Sequence, residues 1–190
     1  MRVLAIYGSP RKGGNTDAMM DAFLDGAAGA GGQLERVYVR DLKISGCLEC
    51  GYCDREGKCI QQDDMRDIYP LMEGVPRIVV ASPIFFYGVT AQLKLLIDRS
   101  QASFMMKELA GKQNSRALQR KGFLLSAGAT RGKRLFECAI LSVKYFFDAI
   151  DVQYAGDLCI RELEGKGAVD QHPTALDDCR RAGRDFVLPG

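Results

Sequence analysis

The sequence predicts an α/β protein built on a doubly wound, five-stranded parallel sheet. Short apolar runs alternate five times with stretches of helical periodicity, and the links between them are short. One run, Ile78-Val79-Val80-Ala81, is apolar throughout, as strands covered on both faces of a parallel sheet are. A glycine-rich turn joins the first apolar run to the first helical stretch.

The elements follow in order. Arg2 to Tyr7 reads as the first strand, ended by Gly8-Ser9-Pro10. Residues 16 to 28 are helical, with Ala18, Met19, Ala22 and Phe23 at helical spacing. Leu34 to Val39 is the second strand, followed by a cysteine-rich loop at 44–62 and a helix from about Asp64 to Glu73. Asp63 or Asp64 is placed to cap that helix. Arg77 to Ser82 is the third strand, and a helix from Thr90 to Asp98 follows. Residues 100–119, polar and carrying Met105-Met106, read as an irregular excursion. Lys121 to Ser126 is the fourth strand, Lys133 to Ile150 a helix, Val152 to Leu158 the fifth strand, and a helix runs from about Pro173 to Asp185.

Bulk properties narrow the partners. A chain of 190 residues is accounted for by a single domain around one core. The net charge is +2 with both signs interspersed, which offers no basic stripe to nucleic acid or anionic lipid and favours small-molecule partners. Met1 leads directly into an apolar strand, and no apolar run approaches membrane-spanning length, so the expected location is cytoplasmic. In that reducing compartment seven cysteines are expected as thiols, ligands or redox groups rather than structural disulfides.

In a doubly wound sheet the ligand sits beyond the carboxyl ends of the strands, where strand order reverses. The turn from Gly8 to Thr16 follows a strand and opens a helix, so its amides and the positive helix end favour a phosphate. The Ser9 and Thr16 hydroxyls and the Asn15 amide are candidate donors, and Arg11 a charge-assisted one. The segment matches neither the Walker A pattern nor G-x-G-x-x-G, and the plain alternative is a capped glycine turn. Phe85, Phe86 and Tyr87 suit stacking on a flat heteroaromatic ring, with amides around Tyr87 and Gly88 at its polar rim; core packing is the alternative.

Cys47, Cys50, Cys53 and Cys59 stand as C-x2-C-x2-C-x5-C, a compact spacing that suits four thiolates on one cubane cluster better than two separated zinc knuckles. Free surface thiols, a disulfide formed in air and a disused cluster site are the alternatives. Arg131, Lys133 and Arg134 stand where a helix begins, against its dipole; a bound anion such as a nicotinamide nucleotide phosphate, or a solvated basic turn, accounts for them. His172 reads as a turn residue, and Cys138, Cys159 and Cys179 as small packed hydrophobes.

The turn at Gly8-Ser9-Pro10-Arg11 through Asn15-Thr16, and the run from Pro83-Ile84-Phe85-Phe86-Tyr87-Gly88 through Lys94 to Ile97-Asp98-Arg99, resemble the flavodoxin-like family of NAD(P)H-dependent FMN reductases. The cysteine segment, continuing into Asp63-Asp64-Met65, resembles that family's iron-sulfur flavoprotein branch. The resemblance covers about residues 1 to 130. It implies strand order 2-1-3-4-5 in three α/β/α layers, with FMN held by Ser9, Arg11, Asn15, Thr16, Pro83, Ile84, Phe85, Phe86, Tyr87 and Gly88. Ala127 and Gly128, small residues after the fourth strand, complete the cradle. A [4Fe-4S] cluster would sit on the four cysteines. It also implies NAD(P)H as a visiting substrate or ferredoxin as donor, a quinone, flavin or other small acceptor, and a homodimer or homotetramer. No catalytic side-chain acid or base is expected. The competing readings are a cluster-free FMN or quinone reductase and a flavodoxin-like electron carrier, whose strong acidity is missing here.

Overall fold

The structure is a computed structural model and describes residues 1–111 and 120–188. Its elements are β1 (Arg2–Tyr7), α1 (Asn15–Gly29), β2 (Gln33–Tyr38), α2 (Tyr52–Glu56), α3 (Met65–Gly74), β3 (Arg77–Pro83), α4 (Ala91–Arg99), α5 (Gln101–Ala110), β4 (Lys121–Ala127), α6 (Glu137–Ala149), β5 (Gln153–Ile160) and α7 (Ala175–Val187). The five strands form one sheet in the order β2-β1-β3-β4-β5, as expected. Every pairing is parallel; β1 runs against β3 from Val3 opposite Arg77 to Tyr7 opposite Ala81.

Alternation along the central strands divides the core. Val3, Ala5, Val79 and Leu125 point to one side, where Met19 and Phe23 of α1 and Phe186 of α7 cover them. Leu4, Ile6, Val80 and Leu124 point to the other, against Met65 of α3, Leu93 of α4 and Phe147 of α6. Helices α1 and α7 touch backbone to backbone: a Cβ on Gly26 would stand 1.9 Å from the Arg180 carbonyl, and one on Gly183 1.8 Å from that of Phe23. No helix among the described residues is long and apolar enough to cross a membrane.

Three local expectations are corrected. Residues 101–110 are helical rather than irregular; Ser100 ends α4, its amide donating to the Ile97 carbonyl at 3.1 Å, and α5 starts at the next residue. The remainder of that expected excursion, 112–119, lies outside the described residues. The fourth predicted helix starts at Glu137, because residues 133–136 form a turn. Inside the cysteine loop a five-residue helix, α2, is set between two glycines with left-handed backbone, Gly51 at φ 68° and Gly57 at φ 63°.

Candidate functional site

The turn between β1 and α1 is fixed from several sides. The Gly8 amide donates to the Ala81 carbonyl of β3 at 2.7 Å, and its carbonyl accepts from the Thr90 hydroxyl. Ser9 Oγ accepts from the Arg11 amide at 3.1 Å, and Asp17 Oδ2 accepts from the Gly13 amide at 3.0 Å. Arg40 reaches in from beyond β2, pairing with Asp17 at 3.0 Å and donating to the Ser9 carbonyl at 3.2 Å. Burial raises the Asp17 pKa, against the opposing pull of the Gly13 amide and Arg40. Helix α1 has no side-chain cap, and its first helical bond runs from the Ala18 amide to Gly14. The amides of Asn15, Thr16 and Asp17 therefore precede the helical ladder, at the positive end of the dipole.

A cavity of about 330 Å³ opens over this turn, within the size range of small-molecule sites. Of the residues expected around a cofactor, Ser9, Arg11, Asn15 and Thr16 line it from below. Pro83, Ile84, Phe85 and Ala127 line it from the ends of β3 and β4. Asn15 does so with its amide hydrogens committed: Nδ2 donates to the carbonyls of Leu163 and Gly165 at 3.2 and 2.8 Å, tying the turn to the loop after β5. Leu163 and Glu164 of that loop complete the wall, a contribution that no motif announced. Gly128, also expected in the cradle, is not among the lining residues; a Cβ there would stand 2.5 Å from Leu135 Cδ2.

Phe86, Tyr87 and Gly88 lie outside this lining. Phe85 and Gly88 exchange amide-to-carbonyl hydrogen bonds of 3.0 and 2.9 Å around a two-residue tip, Phe86-Tyr87. Both tip residues have positive φ, 48° and 65°, as a type I′ turn requires, although the favoured residues there are Asn and Gly. Phe86 is fully exposed, so the aromatic run is no core element.

Cys47, Cys50, Cys53 and Cys59 all line a second cavity, of about 740 Å³. All seven cysteines of the chain are free thiols. Burial, then the neighbouring Asp54, raises the Cys53 thiol. The neck of the loop is fastened beneath the cavity by Arg99. One of its nitrogens, Nη1, donates to the Ser45 carbonyl at 2.9 Å and to Asp63 Oδ2 at 2.5 Å, and Nη2 to Asp63 Oδ1 at 3.1 Å. Asp63 also accepts from the Ser45 and Met65 amides at 3.0 and 3.2 Å, so of the two expected caps Asp64 holds the cap position of α3 without a side-chain bond to it, while Asp63, one residue earlier, takes its first amide. Asp64 bonds instead to the Lys43 amide. Helix α4 is thus capped by Thr90, bound to the phosphate-type turn, and ends at Arg99 beside the cysteines.

The fit to an iron-sulfur cluster rests on donor chemistry. Four thiols meet one cavity, a buried guanidinium borders it, and Arg99 Nε is buried without a hydrogen-bond partner. Among the described residues no three Cys, His, Asp or Glu side chains are gathered tightly enough for a single metal ion; a four-iron cluster is a larger guest.

Other candidates resolve differently. Arg131 pairs with Glu162 and Arg134 with Glu137, and both precede α6, so the basic turn is balanced by carboxylates rather than opposed to a helix dipole. His172 Nδ1 accepts from the Ala175 amide at 3.1 Å, the turn role expected. Cys179 is buried in the core, Cys159 donates to Asp157 at 3.4 Å, and Cys138 is exposed rather than packed, because it lies on the outer face of α6.

Sheet order, the phosphate-type turn after β1 and a cavity at the carboxyl ends of β1, β3 and β4 define a flavodoxin-like protein. The NADPH-dependent FMN reductase family model matches residues 1–170, beyond the stretch where motifs alone carry the resemblance. An iron-sulfur flavoprotein of Archaeoglobus fulgidus is 41% identical over 99 residues, 52% of this chain and 45% of that one. One from Methanosarcina thermophila is 34% identical over 131 residues, 69% of this chain and 65% of that one. The matched stretch thus spans about half the length of the first of these relatives. In fold, the chain is similar to an NAD(P)H:quinone oxidoreductase from Methanothermobacter marburgensis, with a TM-score of 0.77 at 15% identity, covering 100% of this chain and 98% of that one. The chain belongs to the NADPH-dependent FMN reductase family, in its iron-sulfur flavoprotein branch.

Proposed function

We propose that the chain is an FMN-dependent oxidoreductase of the iron-sulfur flavoprotein type, passing electrons from NAD(P)H or a ferredoxin to a quinone, flavin or other small acceptor. The observation that carries this reading is the pair of cavities: eight of the residues expected around FMN line one, and all four motif cysteines line the other. FMN, when bound, supplies the hydride and single-electron chemistry, and a [4Fe-4S] cluster the single-electron relay.

The chain's own residues bind and orient. The amides at the start of α1 and the Arg11 guanidinium take the phosphate, and Thr16 borders it. Arg40 neutralises Asp17, which would otherwise repel that phosphate from beneath. Pro83, Ile84, Phe85 and Ala127 wall the ring, and the Phe86-Tyr87 tip stands ready to cover it from outside. A second copy of the chain completing the cover, as a homodimer or homotetramer, fits the full exposure of Phe86. Cys47, Cys50, Cys53 and Cys59 would hold the cluster, each releasing its thiol proton on loading.

Iron, acid-labile sulfide and FMN per chain, measured in protein prepared without oxygen, test this directly. About four irons and four sulfides beside one FMN are expected. FMN alone makes the chain a cluster-free reductase, and absence of FMN removes the reading altogether.

A further inference from the structure

Among the described residues two buried side-chain polar atoms lack a hydrogen-bond partner, Arg99 Nε and Ser103 Oγ, and both lie beside the cysteines. Arg99 lines the cysteine cavity; Ser103 lines an adjoining cavity of about 430 Å³ that shares Cys59 as a wall. The Arg99 side chain is 1% exposed. Its two Nη atoms are used by Asp63 and Ser45, which leaves Nε as the one nitrogen of this buried cation with no partner. Such a group calls for a partner beyond the protein's own atoms: an ordered water, an ion or a bound group. Cys59 is within electrostatic reach of both Arg99 and Tyr69, and Tyr69 donates its hydroxyl to the Arg99 carbonyl at 2.8 Å.

We propose that Arg99 is the hydrogen-bond donor and counter-charge to the sulfur atoms of a cluster in the cysteine cavity, with its Nη face clasping the neck of the cysteine loop and its Nε–H reserved for sulfur. The inference rests on the cluster reading above. It assigns Arg99 two separable effects. The clasp through Asp63 and Ser45 holds Cys47 and Cys59, which flank the neck, on one cavity whether or not the cluster is loaded. The Nε–H and the buried positive charge favour the more negative, reduced cluster and so raise its midpoint potential.

The test compares wild type with Arg99→Lys and Asp63→Asn, all prepared without oxygen, by iron, sulfide and FMN content and by the midpoint potential from EPR-monitored redox titration. Arg99→Lys keeps a cation for Asp63 and loses Nε–H; it is expected to retain FMN and show a lower cluster potential. Asp63→Asn loosens the neck, leaves Nε–H in place and removes the carboxylate that offsets the cation; it is expected to lose iron more readily while its remaining cluster shows a potential no lower than that of wild type. An unchanged potential and iron content in Arg99→Lys overturn the proposal alone. Wild type with FMN and no iron overturns the cluster reading and the proposal together. Should Arg99→Lys lose FMN along with iron, its fold is broken, and pulsed EPR of reduced wild type carrying ¹⁵N-guanidinium arginine decides. A ¹⁵N coupling to the cluster is expected there, and its absence overturns the assignment.

Discussion

Gly8 has room for hydrogen only. A Cβ there would stand 2.6 Å from the Ala81 carbonyl oxygen and 2.9 Å from Leu93 Cδ2, so backbone and helix must both give way to it. Gly8→Ala is expected to cost about 1–3 kcal/mol, the usual range for overpacking, and to weaken FMN binding by displacing the turn. Chemical denaturation and flavin titration measure the two effects. At this scale the sequence is most informative where chemistry is local: Ser9, Arg11, Thr16 and the four cysteines, picked out by short motifs, line the two cavities. The partners that hold them were not readable. Arg40 meets Asp17 across 23 residues and Arg99 meets Asp63 across 36, and in the sequence each looks like any charge on a solvated face. Asn15 lines the cavity as expected, but the carbonyls of Leu163 and Gly165 that take its side-chain amide hydrogens are 148 and 150 residues away and beyond the reach of a local motif.

Elements tell a similar story with a different cause. Strands and long helices were legible from periodicity, whereas α5 was not: its sequence, QASFMMKELA, buries little beyond Ala102 and Ser103 and so carries only a weak apolar stripe. The start of α6 was placed too early because Lys133 and Arg134 are good helix formers, and the turn there is held by the Leu135 amide donating to the Gly132 carbonyl at 3.2 Å. The hairpin after β3 was read for its aromatics and not for its backbone. Two bulky residues with positive φ are strained, and Phe86 recovers nothing by burial. In the flavin-free monomer Phe86→Asn is therefore expected to stabilise the chain by about 1 kcal/mol, read as a rise in thermal midpoint, while flavin affinity falls. A lower midpoint would mean that Phe86 packs against something in solution.

For the whole molecule, the Arg99–Asp63 clasp joins the cysteine loop, α3 and α4, and it sets an acid limit. Burial pushes the Asp63 pKa up, but Arg99 and the Ser45 and Met65 amides outweigh it, and the net shift is downward. A carboxylate with a depressed folded-state pKa contributes stability above its unfolded value, near 3.8, and that contribution is lost as pH falls through the lower folded value. Asp63→Asn should flatten this acid limb in denaturation measured from pH 6 down to about pH 2, with the two proteins converging at the acid end. A steeper loss in the variant would place the critical carboxylate elsewhere. The global architecture was the most legible level, since five alternating units leave few topologies once connections are short and right-handed.

Helix α4 is a rigid piece between the two regions: its cap, Thr90, holds the Gly8 carbonyl of the turn after β1, and its last residue, Arg99, lines the cysteine cavity. Nine residues at helical rise make a ruler of about 13 Å. Loops elsewhere tolerate gains and losses of chain length, but one residue inserted in α4 would swing everything after it by about 100°. The guanidinium would then leave its carboxylate, and the turn after β1 and the cysteines would lose their common frame. The count of residues between Thr90 and Arg99 is therefore as much a part of this arrangement as the two side chains themselves.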